Sequence, residues 1–219
     1  MAGTFALGVS VRTPAVGVAD HGTYVVSVGG HRVGTEKFEI TSTPEKIEAK
    51  AEIDLHVAQQ GKRVDFRIFP HLVLNPELNP LTYTWDQKGA QPAQLEVDFR
   101  SSPAKIRYRT VTGEDDQRDF ALPKDVVVLD DNVVHHYQLA VNRYHLTPGG
   151  KQTFQAFIPQ EAAPGVLTFE DAGTESIGGA TLHHLVVSTE LTRIELWVDQ
   201  QQRLQRILIP EIQFEAVRK

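Results

Sequence analysis

Nine histidines are the residues of this chain best suited to acid–base or metal chemistry, and four of them are neighbours: His135-His136 and His183-His184. An imidazole near neutral pH can give a proton, take one, or hold a cation. Spacing decides whether two can act together. Adjacent side chains leave a strand on opposite faces and diverge by about 100° on a helix, so neither pair chelates one cation unaided. A working site needs one histidine of each pair to meet an Asp or Glu across an interior. That makes His136 and His183 the candidate catalytic acid–base groups. The spacing lacks the fixed geometry of H-E-x-x-H, so no metal site is assigned.

Other chemistries find less support. Gly173 to Gly178, G-T-E-S-I-G, lacks the glycine two places before Ser176 that a nucleophile elbow needs, and reads as a turn. No glycine-rich phosphate loop is present, so no nucleotide cofactor, nor any other cofactor, is expected. Lys105, Arg107 and Arg109 alternate along one strand face, either as an anion or headgroup contact or as a solvated stripe balanced by Glu96 and Asp98. Trp85 and Trp197 read as core or rim packing.

Composition narrows the class. The chain has 219 residues, no cysteine and a net charge of −6. Thiolate catalysis, disulfides and cysteine-bound zinc are excluded, and nucleic-acid binding is disfavoured. No stretch approaches the ~20 apolar residues of a membrane-spanning helix. Met1 to Asp20 lacks the basic start and continuous apolar core of a signal peptide. Either the protein is cytoplasmic, or an export signal has been removed, and the absence of cysteine suits an oxidising compartment.

The elements that must position these residues are mostly strands. Ile47 to Val57, I-E-A-K-A-E-I-D-L-H-V, is apolar at every odd number and polar at every even one. Such a segment is an extended strand of about 36 Å with one dry face. Similar alternation recurs around Tyr24–Val28, Phe38–Ile40, Val64–Ile68, Leu81–Trp85, residues 94–100, Ile106–Tyr108 and six segments after Phe154. Pro70, Pro76 and Pro80 are expected to punctuate an irregular link, and Gly113 to Asp116 a solvated loop. Val133, Val134, Tyr137, Ala140, Val141 and Tyr144 instead form one stripe of a helix. The spacing predicts that helix over 131–145, with Asp130 or Asp131 as N-cap and Pro148-Gly149-Gly150 as stop.

The fold expected is mainly β: a large curved antiparallel sheet, half-barrel or open barrel, with one amphipathic helix packed on its concave face. Residues 1–20 are expected as a loose arm and 21–219 as one β domain. A fifteen-residue helix covers only about 22 Å of the concave face, leaving room for a cavity. Its candidate ligand-binding lining is Ile53, Leu55, Leu95, Val97, Phe99, Tyr137 and Tyr144. The same residues become plain core if the interior is filled.

The late hairpin T-R-I-E-L-W-V-D-Q-Q-Q-R-L-Q-R-I-L-I-P and the early G-G-H-R-V-G-T-E-K-F-E-I resemble uncharacterised exported bacterial β proteins and the periplasmic lipoprotein carriers LolA and LolB. The resemblance spans residues 22–217 in outline and implies an exported half-barrel that holds an apolar ligand or acyl chain. It transfers no functional residue.

Three functions follow as expectations. The first is a soluble exported binding or carrier protein for an apolar small molecule or lipid. The second is an enzyme using His136, His183 and nearby carboxylates. The third is an envelope structural or assembly protein without a small ligand, acting through an exposed strand edge. Oligomeric state is not legible.

Overall fold

The computed structural model describes residues 17–59, 61–89, 91–110, 112–113 and 115–219. Residues 1–16 of the expected arm lie outside the described residues, and a strand already begins at Gly17. Eight strands come first: β1 Gly17–Val28, β2 His31–Ser42, β3 Ile47–Gln59, β4 Lys62–Leu74, β5 Pro80–Gly89, β6 Ala93–Asp98, β7 Ala104–Thr110 and β8 Asp115–Phe120. A two-residue strand β9, Val127–Val128, and helix α1, His135–Val141, follow. The chain ends with β10 Gln152–Ile158, β11 Ala163–Ile177, β12 Ala180–Ser188, β13 Arg193–Val198, β14 Leu204–Ile209 and β15 Phe214–Arg218.

All fifteen strands form one sheet, ordered β8-β7-β6-β5-β4-β3-β2-β1-β15-β14-β13-β12-β11-β10-β9. Among the described residues, only β9 and β10 run parallel. The first strand pairs with the last, Tyr24 opposite Arg218, which joins the two halves of the chain. Strands β8 and β9 remain as the ends of an open, curved sheet, so the barrel has a seam between them.

Period 2 explains which face is dry. On β3, Ala49, Ile53 and Leu55 are buried, whereas Lys50 and His56 are exposed. The outer face is laced with ion pairs, such as Arg67 with Glu52 and Asp54. The β1–β2 hairpin turns through Gly29 and Gly30, whose φ values of 59° and 76° favour residues without a Cβ. Gly34 is required for a second reason: a Cβ there would lie 2.0 Å from the Asp54 carbonyl oxygen.

Five local expectations are corrected. Pro70 does not break the chain but lies buried within β4. The β3–β4 pairing skips Phe69 and Pro70, resuming at Ile53 opposite Ile68, because proline has no N–H to donate to the ladder. Asp115 and Asp116 are not loop but the start of β8, an edge strand of sequence DDQRDF. Exposed on both faces, β8 needs no apolar alternation, and Arg107 and Arg109 of β7 sit within 3.9 Å of Asp115. Residues 173–177 extend β11, and the turn falls at Gly178-Gly179. Helix α1 has seven residues and not fifteen, and six of them are buried. Its N-cap is Val134, without a side-chain cap from Asp130 or Asp131. The reason is tertiary: Asp130 is taken by other partners and the cap comes from β2.

The concave side is filled. Tyr24, Ile53, Tyr83, Phe157, Phe169, Leu185, Leu196 and Leu204 are all fully buried there in one continuous core with α1. Among the described residues, no helix is long and apolar enough to cross a membrane.

Candidate functional site

Parity along β2 puts one residue of the wrong chemistry on the dry face. Phe38 and Ile40 point inward, so Glu36 does too, and it is 0% exposed. An isolated carboxylate there would be very costly. Helix α1 supplies its partners: the backbone N–H groups of Val134 and His135 donate to Glu36 at 2.6 and 2.7 Å, and Nδ1 of His135 donates at 2.9 Å. The first N–H groups of a helix have no partner within the helix, so Glu36 caps α1 from 98 residues away.

The neighbouring ring, His136, joins a second set of bonds. The Asp130 amide donates to Nδ1 of His136 at 3.2 Å. The Asp130 carboxylate accepts from the Tyr83 hydroxyl at 2.6 Å and from the Gln160 amide at 3.0 Å. Burial pushes Asp130 up, against the pull of the bonds from Tyr83 and Gln160. Burial, followed by the electrostatic influence of the His135 ring beside it, pushes His136 well below the usual histidine range. Aromatic packing fixes both rings: His135 stacks on Phe38 at 6.1 Å, and His136 meets Tyr83 edge-on at 5.4 Å. Gln138 completes the docking, donating to the Gln202 carbonyl and accepting from the Leu204 amide on β14. Glu36, His135 and His136 are each 0% exposed, so this cluster clamps the helix and has no open face.

A cavity of about 400 Å³ opens beside it, in the seam. Leu95, Ile106 and Tyr108 supply an apolar wall from β6 and β7, and Asp116 and Arg118 of β8 form one rim. Pro159, Gln160, Glu161 and Ala162, the turn between β10 and β11, form the other. Cluster and cavity share Gln160, whose side chain also donates to the Asp131 carbonyl at 3.1 Å. Desolvation of the carboxyl, although the residue is exposed as a whole, then Glu161 and Asp130, push Asp131 up to about 6.

The sequence-derived candidates separate in the structure. His136 lies in the buried cluster. His183 lies on β12 opposite Val198 and Thr174, and takes no part in the cluster's bonds. Its neighbour His184 faces the other way, stacked on Trp197 at 4.7 Å with Nδ1 2.8 Å from Glu175. Among the described residues no group of three or more His, Asp or Glu is placed to hold a metal. Of the lining candidates, Ile53, Leu55, Val97 and Tyr144 are at most 7% exposed and packed in the core. Phe99 and Tyr137 are partly buried against it. Leu95 alone of the seven lines the seam cavity. Glu36, Tyr83, Asp130 and His135 were missed as a group. Glu36 had a legible signal, a carboxylate in phase with Phe38 and Ile40.

No protein-family model matches the chain, and no curated protein matches it. Solved structures do. The fold is similar to that of a β-barrel-like protein of the domain of unknown function DUF1849 from Brucella abortus, with a TM-score of 0.61 at 8% identity, covering 94% of this chain and 97% of that one. It is also similar to a DUF1089 family protein from Pseudomonas aeruginosa, with a TM-score of 0.50 at 11% identity, covering 96% and 98%. In fold, then, this chain is a β-barrel-like protein.

Proposed function

We propose that the protein is a binding protein that seats an apolar or amphiphilic small molecule in the seam cavity, between β7–β8 and the β10–β11 turn. The observation that carries this reading is the cavity itself. Its volume of about 400 Å³ falls within the roughly 300–1,000 Å³ of small-molecule pockets, and its wall of Leu95, Ile106 and Tyr108 is apolar under a polar rim. Two other depressions, of about 370 and 410 Å³, lie on the charged outer face of the sheet, where lysine, arginine and acidic side chains line them. The filled concave core moves the ligand from the interior, where an acyl carrier would hold it, to the seam. The sequence resemblance to LolA and LolB and the absence of cysteine support an exported location.

The test is a fluorescence titration with the neutral apolar dye N-phenyl-1-naphthylamine. Saturable binding is expected, weakened at least tenfold by Thr110→Trp, which fills the cavity from the end of β7. Equal affinity in the two proteins, with Thr110→Trp folded normally by circular dichroism, overturns the assignment. The enzyme reading has no comparable support, since the buried histidine cluster offers no surface to a substrate.

A further inference from the structure

We propose that the seam cavity selects amphiphiles with a cationic head, such as a long-chain primary ammonium, over neutral or anionic molecules of the same length. This rests on the seam-binding reading above and specifies its ligand class. The cavity is the site, and its charges decide which occupant fits. Two carboxylates, Asp116 and Glu161, belong to its lining and Asp131 lies near Glu161, with Arg118 the one cation among the described lining residues.

That cation is already engaged. Arg118 holds Asp116 through two nitrogens, Nε at 2.8 Å and a terminal nitrogen at 2.7 Å, so it offers little to an anionic head. The other arginines of this end, Arg107 and Arg109, face Asp115 on the opposite side of β7 and β8. Glu161 on the rim and Asp131 near it, both exposed, are in no ion pair among the described residues. Each influence on Asp131, namely desolvation, Glu161 and Asp130, raises its carboxyl, as expected where carboxylates crowd without a cation. An ammonium group has three donors and no acceptor, and it would relieve that repulsion while bonding both carboxylates. Its alkyl chain would then lie along Leu95 and Ile106, with the Tyr108 ring at the junction of chain and head.

The test is competition at pH 8, where the amine is charged. Dodecylammonium, dodecanol and dodecanoate, each below its micelle concentration, displace bound N-phenyl-1-naphthylamine. Dodecylammonium is expected to compete roughly tenfold better than dodecanol, the gain of about one charge-assisted hydrogen bond, and dodecanoate worse than either. The double substitution Glu161→Gln with Asp131→Asn should erase the advantage, bringing dodecylammonium level with dodecanol measured on the same variant. The proposal falls if dodecylammonium is no better than dodecanol, or if its advantage survives the double substitution. Those results leave the seam-binding reading standing. Failure of all three compounds and the dye to bind overturns both.

Discussion

Glu36→Ala is the sharpest test of how this fold is held together. The wild-type carboxylate satisfies the N–H groups of Val134 and His135 and Nδ1 of His135, at 2.6, 2.7 and 2.9 Å in a site 0% exposed. Alanine leaves three buried donors without a partner. At about 1–3 kcal/mol for each unsatisfied group, partly offset by removing a buried charge, the loss should be on the order of 3–5 kcal/mol. A domain of this kind is stable by about 5–15 kcal/mol in total, so the variant should fold but weakly. In urea, with a slope near 2–3 kcal/mol per molar, the midpoint should fall by more than about 1 M. Glu36→Gln should fall between the two: its oxygen still accepts, but its NH₂ group confronts donors. A Glu36→Ala midpoint within about 0.3 M of wild type, at unchanged slope, would refute the claim that this carboxylate docks the helix.

Further outcomes follow from the same geometry. Ile53→Ala should destabilise by about 2–5 kcal/mol without changing dye affinity, whereas Tyr108→Ala should weaken dye binding with a much smaller loss of stability; paired urea and fluorescence titrations check both. His136 has its folded-state pKa lowered by burial and then by His135, so the unfolded chain binds the proton first and stability should drop as pH falls below about 6.5. His136→Phe should be weaker at pH 8 but lose less on acidification, seen in melting curves from pH 8 to 5. Asp131 works in the opposite direction. Desolvation, then Glu161 and Asp130, raise its folded-state pKa to about 6, so its charge opposes folding above that pH. Asp131→Asn should therefore stabilise the protein at pH 8 by up to about 1 kcal/mol after allowing for solvent screening, an advantage that fades toward pH 4. Dodecylammonium binding by the wild type should weaken over the same descent, as Asp131, near Glu161 and Asp130, takes up a proton.

The strands were legible because period 2 survives wherever one face is wet. Residues 47–57 named their own inward set, and the structure buries Ala49, Ile53 and Leu55 as that alternation requires. The same rule misled at β8, where both faces are solvated and no alternation exists. It was silent at β9, whose two valines are both buried. Helix α1 was found by its stripe but drawn too long, because its ends are set by contacts distant in sequence. Glu36 caps one end, and beyond the other Arg143 donates to the carbonyls of Asp125 and Leu78. The amino-acid order thus determined an open, curved sheet with a dry concave side and a single helix to cover it. Only the packed chain decided that the concave side is full and that a cavity of about 400 Å³ opens in the seam. Whether a hollow remains depends on how side chains from fifteen strands and a helix meet in three dimensions, and no local periodicity records that sum.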